Sequence, residues 1–582
     1  MRASRAADPD AWRNRVREAH ERRDRPALLE LAASEEVFRL LHPSLRFLSH
    51  IFNHTGAPRQ AEALFREAWR RNPDDFWCNH DLAEYLRNQG HLAQVQESIR
   101  FFTAAVALRP NSPGARLNLG SALHRTGALD AAIAEYRQAI WLKEDYAMAH
   151  NNLGSALCDR GFLDEAIAEC RRAIRIKEDF DEAHNGLGNA LRAKGLLDEA
   201  IAEYREAARL DKNSAWSHHN LAAALREKGL PDEAIAEYRE AIRLKKDYAE
   251  AHFNLGNTLR DKGERDEAIA AYREAVWLQK DFVWAHHNLG LTLADKGLWE
   301  EAAVHYREAV RLNKDSAQFH YNLGVALSAR DRPEEAIAEY RETLRLQKDF
   351  AEAHCNLGQA LRQQGLFRQA AEELRRGHEL GSKKPRWPYP SACWLRDAER
   401  LAELDGKLLA VLSGQKRPHD AAERLALASF CQQHKKLHAA AARFYAEAFA
   451  DEPRLADDLA SLNRYNAACS AARAGCDPGK EAGPLNEEEY VRLRRQALDW
   501  LRADLKAWRQ ALDQAPDRAG PETARRMRHW LRDDDFAGVR GPDALTRLPR
   551  AERSEWQKLW EQVEALGRRA AEKPAAASPA RP

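Results

Sequence analysis

The chain has 582 residues, with 91 Lys and Arg against 90 Asp and Glu, a formal net charge of +1. That balance speaks against duplex DNA or an anionic membrane as the main partner, since both need a basic excess, and a hydrophobic content of 44% speaks against global disorder. No stretch approaches the ~20 apolar residues of a transmembrane helix, the opening MRASRAADPDAW has no apolar signal core, and the 8 cysteines include no CxxC pair, so a cytoplasmic protein with reduced thiols is expected.

In chain order, residues 8–32 read as a helix pair within an N-terminal segment, 1–41. Two divergent units follow. The first, 42–75, carries Gly56, Ala61, Phe65, Ala68 and Pro73; the second, 76–112, carries Leu82, Ala83, Gly90, Phe102, Ala105 and Pro110. The second runs 3 residues long, in its second helix or the turn before it. From Pro113 to Lys384 the sequence repeats every 34 residues without a slip, in units 113–146, 147–180, 181–214, 215–248, 249–282, 283–316, 317–350 and 351–384. One ruler is Gly120, Gly154, Gly188, Ala222, Gly256, Gly290, Gly324 and Gly358. Another is Tyr136, Cys170, Tyr204, Tyr238, Tyr272, Tyr306, Tyr340 and Leu374.

Within a unit the apolar spacing is helical: Ala251, Leu255 and Leu259 form one stripe, Ala268, Tyr272, Ala275 and Val276 a second. The glycine between them (Gly263, and Gly127 to Gly365 elsewhere) suits a left-handed C-cap. Each unit is therefore predicted to be a hairpin of helices A and B. Gly256 is expected to face Ala268, letting the two axes approach closely.

The run KKPRWPYP (383–390) marks a boundary. Beyond it, 385–454 reads as a linker with a degenerate repeat at Ala421–Pro453, and 455–570 as a helical cap. The cap holds Asn463–Gly475, the long helix Glu487–Leu512 and shorter helices carrying Trp530, Trp556 and Trp560. The tail 571–582 has nothing to bury and is expected to be disordered.

The segment AHFNLGNTLRDKGERDEAIAAYREAV resembles the tetratricopeptide repeat at its signature positions, in phase and in length. The resemblance implies an all-α fold, a right-handed α-solenoid of ten repeats over 42–384 with helical flanks. One position departs from the family pattern. The proline that usually ends helix B is present at Pro73 and Pro110 but becomes Glu144, Glu178, Lys212, Lys246, Lys280, Lys314 and Lys348. Without it helix B is free to run on, and Asp179, Asp247 and Asp349 stand at capping-box spacing from Glu182, Glu250 and Glu352. The flanks ADPDAWRNRVREA, FWCNHDLAEYL and RYNAACSAARAGC further resemble the repeat region of large bacterial serine/threonine kinases. The Gly-rich loop, the lysine strand, HRD and DFG are all missing, so that resemblance implies scaffolding and not catalysis.

No HExxH, Walker A or GxSxG motif is present, and no enzyme, cofactor or metal is expected. His150, His184, His218, His252, His286, His320 and His354 recur like a ligand array. Stacked helices lie ~8–10 Å apart, whereas ligands of one zinc each sit ~2 Å from it, so these histidines read as packing residues. Asn53-His54-Thr55 is a formal glycosylation sequon that a cytoplasmic protein would leave unused.

The candidate binding residues lie on helix A, off its apolar stripe. Asn118, Asn152, Asn220, Asn254, Asn288, Asn322 and Asn356 share one repeat position. In the resembling family this face lines the concave inner surface. An amide ladder there can pair with the backbone of an extended peptide, or it can bond the neighbouring repeat. Trp216, His219, Phe253, Trp284, His287 and Tyr321 form an aromatic band, and Arg192, Arg226, Arg260 and Arg362 a basic row that reads equally as a solvated charged face. The expected function is a scaffold holding a protein or extended peptide, with no nucleic acid and no membrane. The alternative is the regulatory arm of a serine/threonine kinase, acting in cis or in trans.

Overall fold

The computed structural model describes residues 11–22, 24–34, 36, 46–49, 51, 52, 58–476 and 485–572. Gly56, the sequon at 53–55 and the last ten positions, 573–582, lie outside them. The described residues are helical, with one π turn at Cys431–Lys435, one 3-10 turn at Asp534–Val539 and no strand among them. The protein divides into two compact units, Met1–Leu312 and Asn313–Pro582.

In the first unit, helices Ala11–Glu21 and Arg25–Ala33 precede Pro58–Arg71. Trp12, Val16, Leu28 and Leu31 share a core with Leu64, Phe65, Leu82 and Phe102. Helix hairpins then follow one another. Phe76–Asn88 pairs with Leu92–Leu108, whose 17 residues accommodate the extra length within the second helix. Helix A then starts at 113, 147, 181, 215, 249 and 283 in the first unit, and at 317 and 351 in the second.

The hairpin of residues 249–282 shows why the sequence folds this way. Ala251, Leu255 and Leu259 are buried on helix A, and Ala268, Ile269, Tyr272 and Ala275 on helix B. Each buried leucine contributes ~1.5–3 kcal/mol. Helix A stops at Gly263, whose φ of 90° is open to glycine at little cost. In the 317–350 hairpin Asp331 takes that left-handed place, with φ 55°.

Three local expectations are corrected. A Cβ on Gly256 would lie 2.7 Å from the Tyr272 ring, so the glycine makes room first for tyrosine, while in the equivalent repeats the alanine carbonyls Ala166 O and Ala370 O also lie 3.0–3.1 Å from such a Cβ. The aspartates do not cap helix A. The N-cap residues are Phe180, Tyr248 and Phe350, which make no side-chain cap bond. Their rings pack instead, as Tyr248 does against His219 at 5.1 Å. Helix B does not run on without proline either: it ends at Leu142 ahead of Glu144, as it ends at Leu108 ahead of Pro110.

Ion-pair ladders link successive hairpins. Arg137, Arg171, Arg205, Arg239 and Arg273 reach Glu165, Glu199, Glu233, Glu267 and Glu301 of the next repeat. Lys194, Lys228 and Lys262 reach back to Asp164, Asp198 and Asp232. Each exposed pair is worth little singly.

In the second unit a 22-residue helix, Ser391–Leu412, follows the proline-rich break, where the sequence reading places only a linker. Phe367, Leu404, Leu427, Phe430, Phe444 and Tyr445 form one core there. A second core gathers Tyr465, Leu501, Trp530, Trp556 and Trp560 around the helices Asn463–Ala474, Glu487–Gln514, Pro516–Trp530 and Arg550–Ala571. No helix among the described residues is long and apolar enough to cross a membrane.

Candidate peptide-binding face

Helix A packs on its own helix B and also touches helix A of the next repeat, as in 147–159 against 181–193 and 181–193 against 215–227. Contact between successive B helices is sparser. The A helices are therefore the tightly spaced layer, and one extended ligand laid across them meets several repeats.

The asparagine series mostly bonds the preceding repeat. Asn118 Nδ2 lies 3.0 Å from His80 Nε2, and its Oδ1 accepts from Arg87 at 3.0 Å. Asn152 Nδ2 donates to Ser121 Oγ at 3.4 Å, Asn254 Nδ2 meets His219 Nε2 at 3.0 Å, and Asn288 Nδ2 donates to Asn257 Oδ1 at 2.8 Å. Asn356 Nδ2 donates to the Tyr321 hydroxyl at 3.2 Å. Asn322 accepts from Gln318 within its own helix, and Asn220 Nδ2 is buried with no hydrogen-bond partner. Of the two readings left open by the sequence, bonding between repeats is the one these contacts exhibit.

The aromatic band separates into two groups. His219, Phe253, His287 and Tyr321 share one repeat position and pack inward. Phe253 lies 6.0 Å from Tyr272 and 4.9 Å from Phe282, and Tyr321 lies 6.1 Å from Tyr340 and 4.9 Å from Phe350. Burial holds the His219 and His287 imidazoles below the usual histidine range. These four rings pack against neighbouring aromatic rings, with His287 buried and His219, Phe253 and Tyr321 half-buried. Trp216 and Trp284 differ. They stand on the first turn of their A helices, 45% and 57% exposed. Arg192 and Arg260 are half-buried, and their nearest carboxylates are distant: Glu227 at 3.6 Å and Asp261 at 3.8 Å. Arg226 has no ion pair with a described residue.

The recurrent histidines do more than pack. His150, His184, His218, His320 and His354 each set Nδ1 2.6–2.7 Å from a helix B glutamate: Glu169, Glu203, Glu237, Glu339 and Glu373. The Glu203 bond raises the His184 pKa. Among the described residues two groups have metal-ligand spacing, His80 with Asp81 and Glu84, and Cys469 with Asp533 and Asp535. Their carboxylates already have internal partners: Arg46 reaches Asp81 and Glu84, the Tyr465 hydroxyl donates to Asp533, and Arg473 pairs with Asp535. Burial pushes the Cys78, Cys170 and Cys355 thiols up to about 12, the opposite of nucleophile activation.

The sequence reading missed Trp141 and Trp277, which are 75% and 69% exposed near the end of helix B. The register held the signal. Five other repeats place arginine there, and Arg209, Arg243, Arg311 and Arg345 each pair with a glutamate three residues earlier.

Residues 121–158, 154–195, 188–229, 224–263, 256–297, 292–330 and 329–365 match the family model described as TPR repeat. Residues 121–365 thus carry tandem TPR repeats, and the fold of the described residues is an all-α solenoid. No curated protein matches the sequence. Among solved structures, MamA is 27% identical, covering 30% of this chain and 94% of its own, with a TM-score of 0.27. YrrB, described as a TPR protein with an unusual peptide-binding site, is 23% identical, covering 32% and 96%, with a TM-score of 0.26. A TPR protein from Parabacteroides merdae is 17% identical, covering 43% and 98%, with a TM-score of 0.37.

Proposed function

We propose that the protein is a non-catalytic protein–protein interaction scaffold that holds an extended segment of a partner across the A helices. The observation that carries this reading is the pair Trp216 and Trp284, exposed at one repeat position two repeats apart. At ~10 Å per stacked helix the indoles stand roughly 20 Å apart. An extended peptide rising ~3.4 Å per residue spans that with about six residues. Exposed tryptophan and arginine are residue types that anchor interfaces. Arg192, Arg226 and Arg260 serve as the polar contacts, because their carboxylate neighbours are long or absent. The asparagines set the spacing of the repeats and reach the partner only secondarily.

The kinase-arm alternative rests on the flanking segments, which the repeat matches do not include, and is not taken up. The test is selection of peptides from a displayed random library on the immobilised full-length protein, followed by titration of the winners against Trp216→Ala and Trp284→Ala. Each substitution is expected to weaken binding by ~2 kcal/mol, the size of an interface hot spot. Winners that bind both variants at full strength would exclude the A-helix face.

A further inference from the structure

At the end of the repeat match, the second unit holds a pocket of about 350 Å³. The helix Ser391–Leu412 supplies its floor through Leu401 and Leu404, and the end of Ala421–Phe430 adds Phe430. The wall is the π turn Cys431–Lys435, which brings the His434 ring to 5.6 Å from Phe430 and 5.4 Å from Phe367. Lys436 then leaves the turn in a left-handed conformation, with φ 58°. π turns occur mostly as single turns inside helices and often at functional sites.

The rim is cationic. Arg362, from the end of the helix Ala351–Gln363, and Arg400 both line the pocket, and neither is ion-paired with a described residue. Asp397 is the one lining carboxylate among the described residues. Lys435 is held by Asp405. Besides burial, Arg362, Lys436 and Lys435 lower the His434 pKa, which registers the positive potential at this wall. Ser429 and Gln433 add a hydroxyl and an amide, groups able to pair with a peptide backbone.

We propose that this pocket is a second binding site, distinct from the Trp216–Trp284 pair, for a short peptide segment in which a carboxylate adjoins an apolar side chain. Arg362 and Arg400 take the carboxylate, since guanidinium matches it in planar, charge-assisted geometry. Leu401, Leu404 and Phe430 take the apolar side chain. The volume is at the lower end of ligand pockets, which suits a pair of residues and not a whole cofactor. The carboxylate can come from an Asp or Glu residue or from the C-terminus of a peptide.

The experiment is fluorescence anisotropy on the full-length protein with four fluorescein-labelled probes. Two are amidated at their C-termini, Gly-Ser-Asp-Leu-Gly-Ser and the same peptide with Asn for Asp. The other two are Gly-Ser-Gly-Ser-Leu with a free and with an amidated C-terminus. At least one carboxylate probe is expected to bind about tenfold more tightly than its neutral counterpart. Which pair separates distinguishes a side-chain from a terminal carboxylate. Arg362→Gln with Arg400→Gln is expected to abolish the difference, as is Arg400→Gln alone in part. Trp216→Ala with Trp284→Ala is expected to leave it unchanged, so failure here and failure of the repeat-face reading remain distinguishable. Equal binding within both pairs overturns the proposal, and so does a carboxylate preference that survives the double Gln variant. Tighter binding of a fifth probe, the amidated hexapeptide with phosphoserine in place of Asp, through the same arginines overturns the carboxylate assignment.

Discussion

His286 Nδ1 lies 3.2 Å from His305 Nδ1, at the place where five other repeats set a glutamate against the equivalent histidine. His286 Nε2 lies 3.1 Å from the Lys280 carbonyl and donates to it, which leaves Nδ1 as an acceptor for the His305 N–H. Burial holds both imidazoles below the usual histidine range, so both are neutral near pH 7. Burial, and then His286, lower the His305 pKa to about 4.

The consequence is an acid-sensitive repeat. An imidazole whose folded pKa is depressed contributes stability above its unfolded value of about 6.5, and that contribution is lost as pH falls toward about 4. The His184–Glu203 pair has the opposite sign: its contribution is present below the unfolded value and fades as pH rises through the raised folded value. The His305 ring is partly exposed, and solvent screening reduces the loss to on the order of 1–2 kcal/mol. His305→Glu restores the pair found in the other repeats. Urea melts between pH 7 and pH 4 are expected to show a steeper acid loss for the native protein than for this variant. Parallel pH dependences would exclude the His–His pair as the cause.

A second prediction concerns the asparagines. Asn254→Ala removes the bond to His219 Nε2 and leaves a half-buried ring without that partner. The expected cost is ~1–3 kcal/mol. Asn220→Ala deletes an amide whose Nδ2 is buried and unpaired, and is expected to cost less. Chemical denaturation of the two variants compares them directly, and a larger loss for Asn220→Ala would contradict the inter-repeat role.

A third prediction concerns the close approach of helix A to tyrosine. Gly256→Ala brings a Cβ to 2.7 Å from the Tyr272 ring, which must tilt. The protein already contains the outcome, because Ala222 is fully buried in the repeat whose tyrosine is Tyr238. That repeat has Ala223 where Asn257 accepts the Tyr272 hydroxyl at 2.7 Å. Gly256→Ala is therefore expected to cost about 1–3 kcal/mol. Adding Asn257→Ala should cost less than it does alone, since the tilted ring has already left that bond. Strict additivity would contradict the tilt.

These cases also mark what the sequence could and could not disclose. The hairpins were legible because Ala251, Leu255 and Leu259 follow the helical period and Gly263 ends it, and both signals recur at 34 residues. Side-chain partners were less so. Nothing in the spacing tells that Asn254 meets His219 of the repeat before it, or that Phe253 is wedged against Phe282. Such contacts depend on how far one hairpin is rotated on the next, a property of packing and not of period. The helix Ser391–Leu412 was hidden by the proline-rich run before it, and the exposed Trp141 and Trp277 became visible only against the arginines of the other repeats.

The fourth prediction contrasts the two faces with matched residues. Trp216 and Trp284 are exposed on A helices, and Trp141 and Trp277 on B helices. Trp141→Ala and Trp277→Ala are expected to leave peptide affinity within about twofold, while Trp216→Ala and Trp284→Ala lower it by ~2 kcal/mol each. Helix content should hold in all four, because none of these side chains is buried.

The most direct measurement replaces each of these four tryptophans, one at a time, with a photoreactive benzoylphenylalanine and irradiates the full-length protein with a library-selected peptide. Crosslinks at positions 216 and 284, and none at 141 and 277, are the result expected if the A-helix face holds the partner. Crosslinks confined to 141 and 277, or none at any of the four with a peptide that binds, would contradict it.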